Sequence, residues 1–314
     1  MTLFLCPVAL YAAPASGRVV RPSAHYGYRR MRADLTKLQA RYPYTLRAGV
    51  IGKTAEGREL MAALAGAPGA SRHVLIHAGL HAREHMTCAL AMMQLERLLR
   101  RHVPAGFNFH ILPMMNPDGV AISQTGCGSA KARAIYMDDL RAGYATPPRK
   151  EALAAWKANA GGVDLNRNFE AGWERVDTRP APSGANYRGD APLSERESQA
   201  LAAYTTRFKM AATVSYHASG GVIYCAFGPD CPANEKSRRL GHAISKRTGY
   251  RLEGDDGTSS GGYKDWAIEK LSIPSLTVEI GDGPAPLAIE EYRDIWRRNR
   301  DVPYAVARWV KKHS

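Results

Sequence analysis

The chain has 314 residues, 45% of them hydrophobic, and carries a formal net charge of +14. This length and hydrophobic content suffice for one large buried core, and the lack of a long low-complexity tract argues against a disordered protein. The positive charge is spread along the chain, which is typical of a solvated basic surface and also suits an anionic partner. No motif typical of nucleic-acid binding occurs, so we expect no nucleic-acid partner.

The first 23 residues differ in character from the rest. An apolar opening precedes Ala13-Pro14-Ala15, a small-residue pattern typical of signal-peptide cleavage. We therefore predict a signal peptide and linker over 1–23 and a secreted or cell-envelope protein. A cytoplasmic protein is the alternative, because the opening lacks the usual Lys or Arg. No later apolar run is long enough to span a bilayer, so we expect a soluble mature protein.

Cysteine usage is sparse for a chain of this length, with five in all. Only Cys225 and Cys231 are close enough in sequence to suggest a disulfide that closes a loop. Two free thiols are an equally good interpretation.

Strand-like and helix-like segments alternate along the chain from about residue 26. In the first half we predict a helix over 26–42, strands over 50–52, 60–64 and 73–76, a helix over 87–101 and a strand over 107–112. In the second half we predict a helix over 195–208, a strand over 212–216, a helix over 234–249, a strand over 275–280 and a helix over 289–312.

This alternation predicts an α/β fold, with a single domain over 24–314 built on a mixed, mostly parallel twisted sheet that has helices on both faces. Residues 120–150 and 176–192 are rich in Gly, Pro and Arg, and they predict long loops. Long loops on a compact α/β core tend to form the walls of a site, and we expect the same here.

Polar residues follow several of the predicted strands where each strand ends. His81 and Glu84 follow the strand at 73–76, and His217 follows the strand at 212–216. Ligands of open α/β sheets gather outside the carboxyl ends of strands, and catalytic zinc takes three His or carboxylate ligands. The pattern predicts one zinc ion held by these three residues, although His-x-x-Glu alone is a weak signal and a lone histidine at a strand end is more often structural.

Glu279 lies within the apolar segment Leu276-Thr277-Val278-Glu279-Ile280. An ionised carboxylate in such a strand is costly to bury unless a cation or hydrogen-bond donors meet it. A water activated by zinc needs a base nearby, so Glu279 is a candidate general base. A buried salt bridge to one of the many arginines is the structural alternative.

A further short apolar stretch ends in Asp164-Leu165-Asn166-Arg167. The planar fork of Arg167 suits a substrate carboxylate, and Asp164 suits the far nitrogen of a histidine that binds zinc. Each of these residues could equally brace a loop. It is nevertheless improbable that four strand ends would carry metal ligands, a base and an anion-binding group by chance.

A second zinc arrangement also fits the sequence. His81-Ala82-Arg83-Glu84-His85 matches the His-x-x-Glu-His pattern of inverted zincins, in which both histidines bind zinc from one helix and the glutamate is the base. That arrangement requires residues 81–85 to be helical and leaves His217, Glu279 and Arg167 without a role.

Several motifs, in this order, resemble those of the zinc carboxypeptidases. They are His81-Ala82-Arg83-Glu84, Asn116-Pro117-Asp118-Gly119, Gly162 to Phe169, Tyr187-x-Gly189 with Ser194-Glu195, Ser215-Tyr216-His217, Asp265-Trp266 and Thr277-Val278-Glu279. The resemblance runs from about Tyr26 to the end. Trp156-Lys157-Ala158-Asn159 and Gly261 to Trp266 are most similar to bacterial γ-D-glutamyl-L-diamino acid endopeptidases, which cut peptidoglycan stem peptides.

The resemblance implies roles for the candidate site residues. One zinc ion per chain would be bound by His81, Glu84 and His217, with Glu279 as general base. Asn166 and Arg167 would hold a substrate carboxylate, and Arg83 would lie beside the scissile bond. Lys157 occupies the position of the family's arginine that stabilises the oxyanion, so we expect that role with looser geometry, because lysine lacks the planar fork.

Two specificity positions depart from the family's pattern. The tyrosine that closes over substrate in digestive members falls at Gly257, although Tyr263 could supply a hydroxyl group. Lys264 takes the position at the base of the specificity pocket, where a cation would favour an acidic group such as the second carboxylate of diaminopimelate. A lysine that faces solvent is the alternative.

The resemblance therefore implies hydrolysis of the γ-D-glutamyl-diaminopimelate amide bond, with peptidoglycan stem peptides or muropeptides as partners. The alternatives are a metallocarboxypeptidase that removes C-terminal residues, preferably acidic ones, and a binding module that grips wall peptide without cutting it. The preferred diamino acid and the oligomeric state are left open.

Overall fold

The computed structural model describes residues 17–67, 69–254 and 260–313. Most of the predicted signal peptide and Gly257 lie outside these residues. The strands are β1 Leu46–Lys53, β2 Glu59–Gly66, β3 Arg72–Ala78, β4 Phe107–Leu112, β5 Met210–His217, β6 Val222–Tyr224, β7 Arg251–Glu253 and β8 Ser275–Glu279.

The helices pack around the strands. They are α1 Tyr28–Arg41, α2 His85–Arg100, α3 Pro117–Thr125, α4 Ala130–Arg141, α5 Arg149–Ala154, α6 Arg196–Thr206, α7 Pro232–Thr248, α8 Tyr263–Leu271, α9 Tyr292–Asn299 and α10 Val302–His313. Short 3-10 turns lie at Leu165–Arg167, Trp173–Arg175 and Ile289–Glu291. Within the described ranges, no helix is both long and apolar enough to cross a membrane.

One eight-stranded sheet runs through the molecule in the order β1-β2-β4-β3-β5-β8-β6-β7. The central strands β4, β3, β5 and β8 are parallel to one another. The outer pairings β1 with β2, β2 with β4, and β6 with β8 are antiparallel. The parallel centre brings the carboxyl ends of β3, β5 and β8 side by side, which is where ligands gather in such sheets.

Alternate residues of the central strands point to opposite faces of the sheet. Val74 and Ile76 of β3 belong to a core shared with α1, α2, α7, α9 and α10, whereas Leu75 belongs to a second core shared with α6 and α8. Because each strand is buried on both faces, it reads as an apolar run rather than as an alternating pattern. The predicted fold class, a mixed and mostly parallel sheet with helices on both faces, is confirmed.

The predicted loop over 120–150 is wrong, because α3, α4 and α5 occupy most of it. Asn116 caps α3 by accepting a hydrogen bond from the amide of Gly119, and Ser129 caps α4 by accepting one from the amide of Ala132. Both caps are visible in the sequence. The glycines and prolines on which the loop prediction rested lie mostly at the ends of these short helices and in the connections between them. The predicted helix over 289–312 is also interrupted, between α9 and α10.

Cys225 and Cys231 are not bonded to each other; both are free thiols, as is each of the other described cysteines. The interpretation as two thiols therefore holds, and the disulfide alternative does not.

Candidate metal centre and active site

The turn after β3 places the first two candidate ligands. Gly79 adopts a φ of +64°, and a Cβ at this position would lie 2.5 Å from the sulfur of Cys88, so only glycine fits here. The hydroxyl of Thr87 accepts a hydrogen bond from the Gly79 amide and donates one to the carbonyl of Glu84. This local network holds residues 79–84 as a tight turn and lets α2 begin at His85.

The third ligand comes from the neighbouring strand. β5 pairs in parallel with β3 and ends at His217, and β8 pairs with β5 so that Glu279 lies beside His217. Parallel register therefore brings residues from three strand ends to one place, although more than 130 positions separate His217 from His81 in sequence.

The three side chains converge on one point within the protein. Nδ1 of His81 lies 2.8 Å from Oε1 of Glu84, Nδ1 of His217 lies 3.0 Å from Oε2 of Glu84, and the two Nδ1 atoms lie 3.0 Å apart. All three side chains are buried. They form the one group of ligating residues in the described ranges whose atoms lie close enough together to hold a metal ion.

The charges at this centre are those of a cation site. Burial alone would raise the pKa of Glu84, but the nearby imidazoles of His81 and His217 lower it below its ordinary value. Burial alone would lower the pKa of His81, but the carboxylates of Glu84 and Asp164 raise it. A buried carboxylate between two imidazoles is therefore an ionised group that stabilises positive charge in its surroundings.

The donor set fits zinc. Two imidazole nitrogens and one carboxylate are the ligands of many catalytic zinc sites, and tetrahedral zinc ligands at about 2.0–2.2 Å from the ion are roughly 3.3 Å from one another. The observed separations of 2.8–3.0 Å are close to that spacing. Two Nδ1 atoms that face each other also cannot both carry protons, and a cation between them resolves that conflict.

Asp164 connects the metal centre to the residues around it. It is fully buried, and its Oδ1 lies 3.1 Å from Nε2 of His81. Its Oδ2 lies 2.8 Å from Nζ of Lys157 and 3.5 Å from Nε of Arg167. Burial alone would raise the pKa of Asp164, but Lys157 and His81 hold it well below its usual range. An ionised Asp164 accepts a hydrogen bond from a protonated Nε2 of His81 and so leaves Nδ1 free to bind metal.

A cleft of about 470 Å³ opens beside the ligands. Its lining residues are His81, Arg83, Glu84, Lys157, Ala218, Ser219, Tyr224, Glu279, Pro284 and Ala285. Burial, and next the negative charge of Glu84, raise the pKa of Glu279 to about 7. Glu279 is thus a carboxylate at the cleft wall that can hold or release a proton near neutral pH.

Arg83 and Lys157 both line this cleft, and their bonding differs. Lys157 is paired with Asp164, and its Nζ lies 3.5 Å from Oδ1 of Asn186. Nη1 of Arg83 donates to the carbonyl of Ala155 at 3.4 Å, whereas its buried Nε has no hydrogen-bond partner within the described chain.

Asn166 and Arg167 are not among the residues that line the cleft, and both bond to other parts of the protein. Oδ1 of Asn166 accepts a hydrogen bond from the amide of Tyr263 at 3.0 Å. Nη1 of Arg167 donates to the carbonyl of Asp177 at 2.6 Å. Their predicted role as a clamp for a substrate carboxylate stays a prediction.

The structure corrects two of the predicted substrate contacts. Tyr263 is fully buried, its hydroxyl lies 3.0 Å from Oγ1 of Thr205, and its ring packs against His77, so it cannot reach a substrate at the metal. Lys264 is buried too, and its ammonium is paired with Asp265 and donates to the carbonyl of Ala226 at 2.5 Å. It neither faces solvent nor lines the cleft, and Asp265 compensates its charge.

The inverted-zincin arrangement is not formed. Residues 81–84 form a turn and only His85 is helical, at the first position of α2. Burial lowers the pKa of His85 to about 4, and His85 does not join the group that can hold a metal. Five other residues line the cleft and were not predicted, because no recognisable sequence pattern marks them: Ala218, Ser219, Tyr224, Pro284 and Ala285.

The sheet topology and the His-Glu-His centre together define a zinc hydrolase of the α/β class. The family model described as zinc carboxypeptidase matches residues 31–301, and the chain belongs to this family. It is a zinc metallopeptidase, with Zn²⁺ as its cofactor.

Three relatives show the range of this similarity. The chain is 31% identical, over 89% of its length and 72% of the relative's, to gamma-D-glutamyl-L-diamino acid endopeptidase 1 of Lysinibacillus sphaericus. Carboxypeptidase A of Helicoverpa armigera shares its fold with a TM-score of 0.73 and 18% identity, over 96% of this chain and 78% of that one. The murein-tripeptide amidase MpaA of Escherichia coli O157 gives a TM-score of 0.53 and 22% identity, over 92% and 98%.

Proposed function

We propose that this protein hydrolyses the γ-D-glutamyl-diamino acid amide bond of peptidoglycan peptides. The observation that carries the proposal is the cleft that Glu279 lines together with His81 and Glu84 of the buried His-Glu-His group. The activity for which the endopeptidase relative is named supports the choice of bond. Peptidoglycan stem peptides or muropeptides are the corresponding substrates.

The residues of the chain divide the work of amide hydrolysis. His81, Glu84 and His217 would hold the zinc ion, which would supply a Lewis acid for the scissile carbonyl and for the attacking water. Glu279 takes a proton from the attacking water and delivers it to the leaving amine as the carbon–nitrogen bond breaks. Lys157 supplies positive charge to the oxygen of the scissile carbonyl, with its ammonium held in place by Asp164.

Product analysis of a tetrapeptide tests this function and separates it from carboxypeptidase action. The zinc-loaded protein is incubated with L-Ala-γ-D-Glu-diaminopimelyl-D-Ala, and the products are identified by mass spectrometry. We expect L-Ala-D-Glu and diaminopimelyl-D-Ala. Release of free D-Ala instead would assign the protein as a carboxypeptidase, and binding without any product would assign it as a binding module.

A further inference from the structure

A second cavity adjoins the cleft and has no role in the proposed chemistry. It measures about 360 Å³, and it shares Arg83 and Lys157 with the cleft. Its other lining residues include Asp139, Tyr144, Trp156, Arg179, Gly184 and Ala185. Its volume lies within the range of about 300–1,000 Å³ that small-molecule sites occupy. We call this cavity the side pocket.

The side pocket is built by α4, α5 and the segment around Gly184. The amides of Lys157 and Ala158 donate to the carbonyl of Gly184 at 2.8 and 3.0 Å, and the Gly184 amide donates to Oδ2 of Asp139 at 2.7 Å. A Cβ on Gly184 would lie 3.0 Å from the ring of Trp156, so glycine lets the segment pack onto this ring. Small residues along the other walls leave the space open.

The charges of the side pocket leave one cation available. Arg179 lies 3.6 Å from Asp139 and stacks over the ring of Tyr144, with 4.2 Å to the centroid. Lys157 is paired with Asp164. Arg83, in contrast, forms no ion pair among the described residues and its buried Nε has no hydrogen-bond partner, although its positive charge acts on Glu279 in the same cleft. Since Arg83 borders both cavities, an anionic group at their junction can accept hydrogen bonds from it without breaking an existing ion pair.

The proposed substrate has an anionic group at the matching place. A γ-linked glutamyl residue uses its side-chain carbonyl in the scissile bond and keeps its α-carboxylate free. That carboxylate is attached to the α-carbon, which is only three bonds from the reacting carbonyl carbon. The carboxylate carbon therefore lies within about 5 Å of the reacting carbonyl carbon. The same carbon carries the amino group through which the peptide continues, so the residue branches where the cleft and the side pocket meet.

We propose that the side pocket binds the acyl side of the substrate, and that Arg83 binds the free α-carboxylate of the γ-linked glutamyl residue. The residue that precedes the glutamyl group then lies in the side pocket, between the rings of Tyr144 and Trp156. This inference rests on the proposed function and makes Arg83 the residue that selects γ-linked, acidic acyl groups.

A pair of substrates that differ only in this carboxylate tests the role of Arg83. One is L-Ala-γ-D-Glu-diaminopimelate, and the other carries an α-carboxamide in place of the α-carboxylate. We expect the wild-type protein to prefer the carboxylate by about ten- to a hundredfold in kcat/KM. Arg83→Gln should reduce this ratio to near one. The matched control Arg239→Gln removes the same charge from an exposed ion pair on α7 and should keep the ratio.

A wild-type ratio near one, or an Arg83→Gln variant that slows both substrates equally, would overturn the inference. Absence of cleavage of both substrates by the wild-type protein would instead overturn the proposed function. The wild-type ratio requires no variant, so the test stands even if Arg83→Gln fails to fold or to bind zinc.

Filling the side pocket tests its occupant separately. Ala185→Trp places a large ring in the side pocket. The variant and the wild-type protein are each tested on two peptides, one with and one without the amino-terminal alanine. We expect this variant to cleave L-Ala-γ-D-Glu-diaminopimelate no better than γ-D-Glu-diaminopimelate, whereas the wild-type protein prefers the longer peptide. An equal loss on both peptides, or a loss that appears only when the amine side is extended, contradicts the assignment of the acyl side.

Discussion

Histidines lie near both ends of β3, and the two ends differ in chemistry. At the amino end, Nδ1 of His73 lies 2.9 Å from Nε2 of His110, whose Nδ1 lies 2.8 Å from the hydroxyl of Tyr204. At the carboxyl end, the Nδ1 atoms of His81 and His217 lie 3.0 Å apart. Both arrangements place two imidazoles in contact within the protein.

Carboxylates distinguish the two ends. Glu84 and Asp164 bond to the histidines at the carboxyl end, whereas in the described part of the chain no carboxylate bonds to His73 or His110. Burial, and next the charge of His73, lower the pKa of His110 to about 3, so this ring is neutral and serves as a hydrogen-bond link. Two histidines in contact can hold a metal ion when nearby anions favour a cation, and among the described residues only the carboxyl end of β3 supplies such anions.

The largest expected effect is the loss of a ligand. His217→Ala removes one of three zinc ligands, and we expect zinc content to fall from about one per chain toward zero, with activity lost to the limit of detection. His110→Ala removes a histidine at the amino end of β3, outside the metal centre, and should leave zinc content unchanged. Metal analysis of both purified variants measures this difference. Equal zinc content in the two variants would contradict the claim that only the carboxyl end of β3 binds zinc.

Loss of the base should be separable from loss of the metal. Glu279→Gln keeps the shape of the cleft, so we expect normal zinc content and a fall in kcat of about 10²- to 10⁴-fold. Glu197→Gln is the matched control, because burial also raises the pKa of this carboxyl group to about 7 and it lies outside the cleft. Activity of Glu279→Gln comparable to that of the control would remove the base assignment.

Asp164 offers a smaller and more specific effect. Asp164→Asn weakens the bond that orients His81, and we expect zinc affinity to fall by about 10- to 100-fold. Asp118→Asn alters another fully buried carboxylate, which is paired with Arg58 at 2.6 Å, and should not change zinc affinity. Competition with a chelator measures both. Unchanged affinity in Asp164→Asn would mean that the carboxylate does not support the metal centre.

The smallest effect is expected at the amino end of β3. His110→Phe removes the hydrogen bonds to His73 and Tyr204, and we expect a loss of about 1–2 kcal/mol in the free energy of unfolding at pH 7.5.

The pH dependence of this loss has a definite sign. Because the folded-state pKa of His110 is depressed, its contribution is complete above the unfolded value of about 6.5 and declines as the pH falls toward 3. Denaturant titrations at pH 7.5 and pH 5 should therefore show a smaller difference between the variant and the wild-type protein at pH 5. A difference that grows on acidification contradicts a neutral His110.

Much of the fold could be predicted because its central strands are apolar runs separated by clear helical patterns. The strand at 107–112 has the predicted bounds, and β3, β5 and β8 each begin and end within three residues of theirs. The loop prediction over 120–150 failed because helices this short give weak periodicity. α5 buries a single side chain, Leu153. In such segments the caps carry more information than the hydrophobic pattern.

The candidate site also contains residues that the sequence could predict and residues that it could not. The three ligands and Glu279 could be predicted because each is a polar residue at the end of a buried strand, where parallel strands meet at one edge. Tyr263 and Lys264 could not be placed, since the partners that bury them, Thr205 and Asp265, depend on how α8 packs. A charged residue in a sequence motif carries no sign of whether its charge is already compensated.

The sequence by itself determined the fold class, the positions of the central strands and the residues that meet at their carboxyl ends. These follow from local properties, namely hydrophobic runs, turn residues and the residue types that bind zinc. Only the tertiary structure decided that Asp164, which the sequence already suited to a zinc-binding histidine, also pairs with Lys157 and Arg167, and that Arg83 forms no ion pair among the described residues. Pairing between charges depends on distances across the folded molecule, which the order of residues along the chain does not specify.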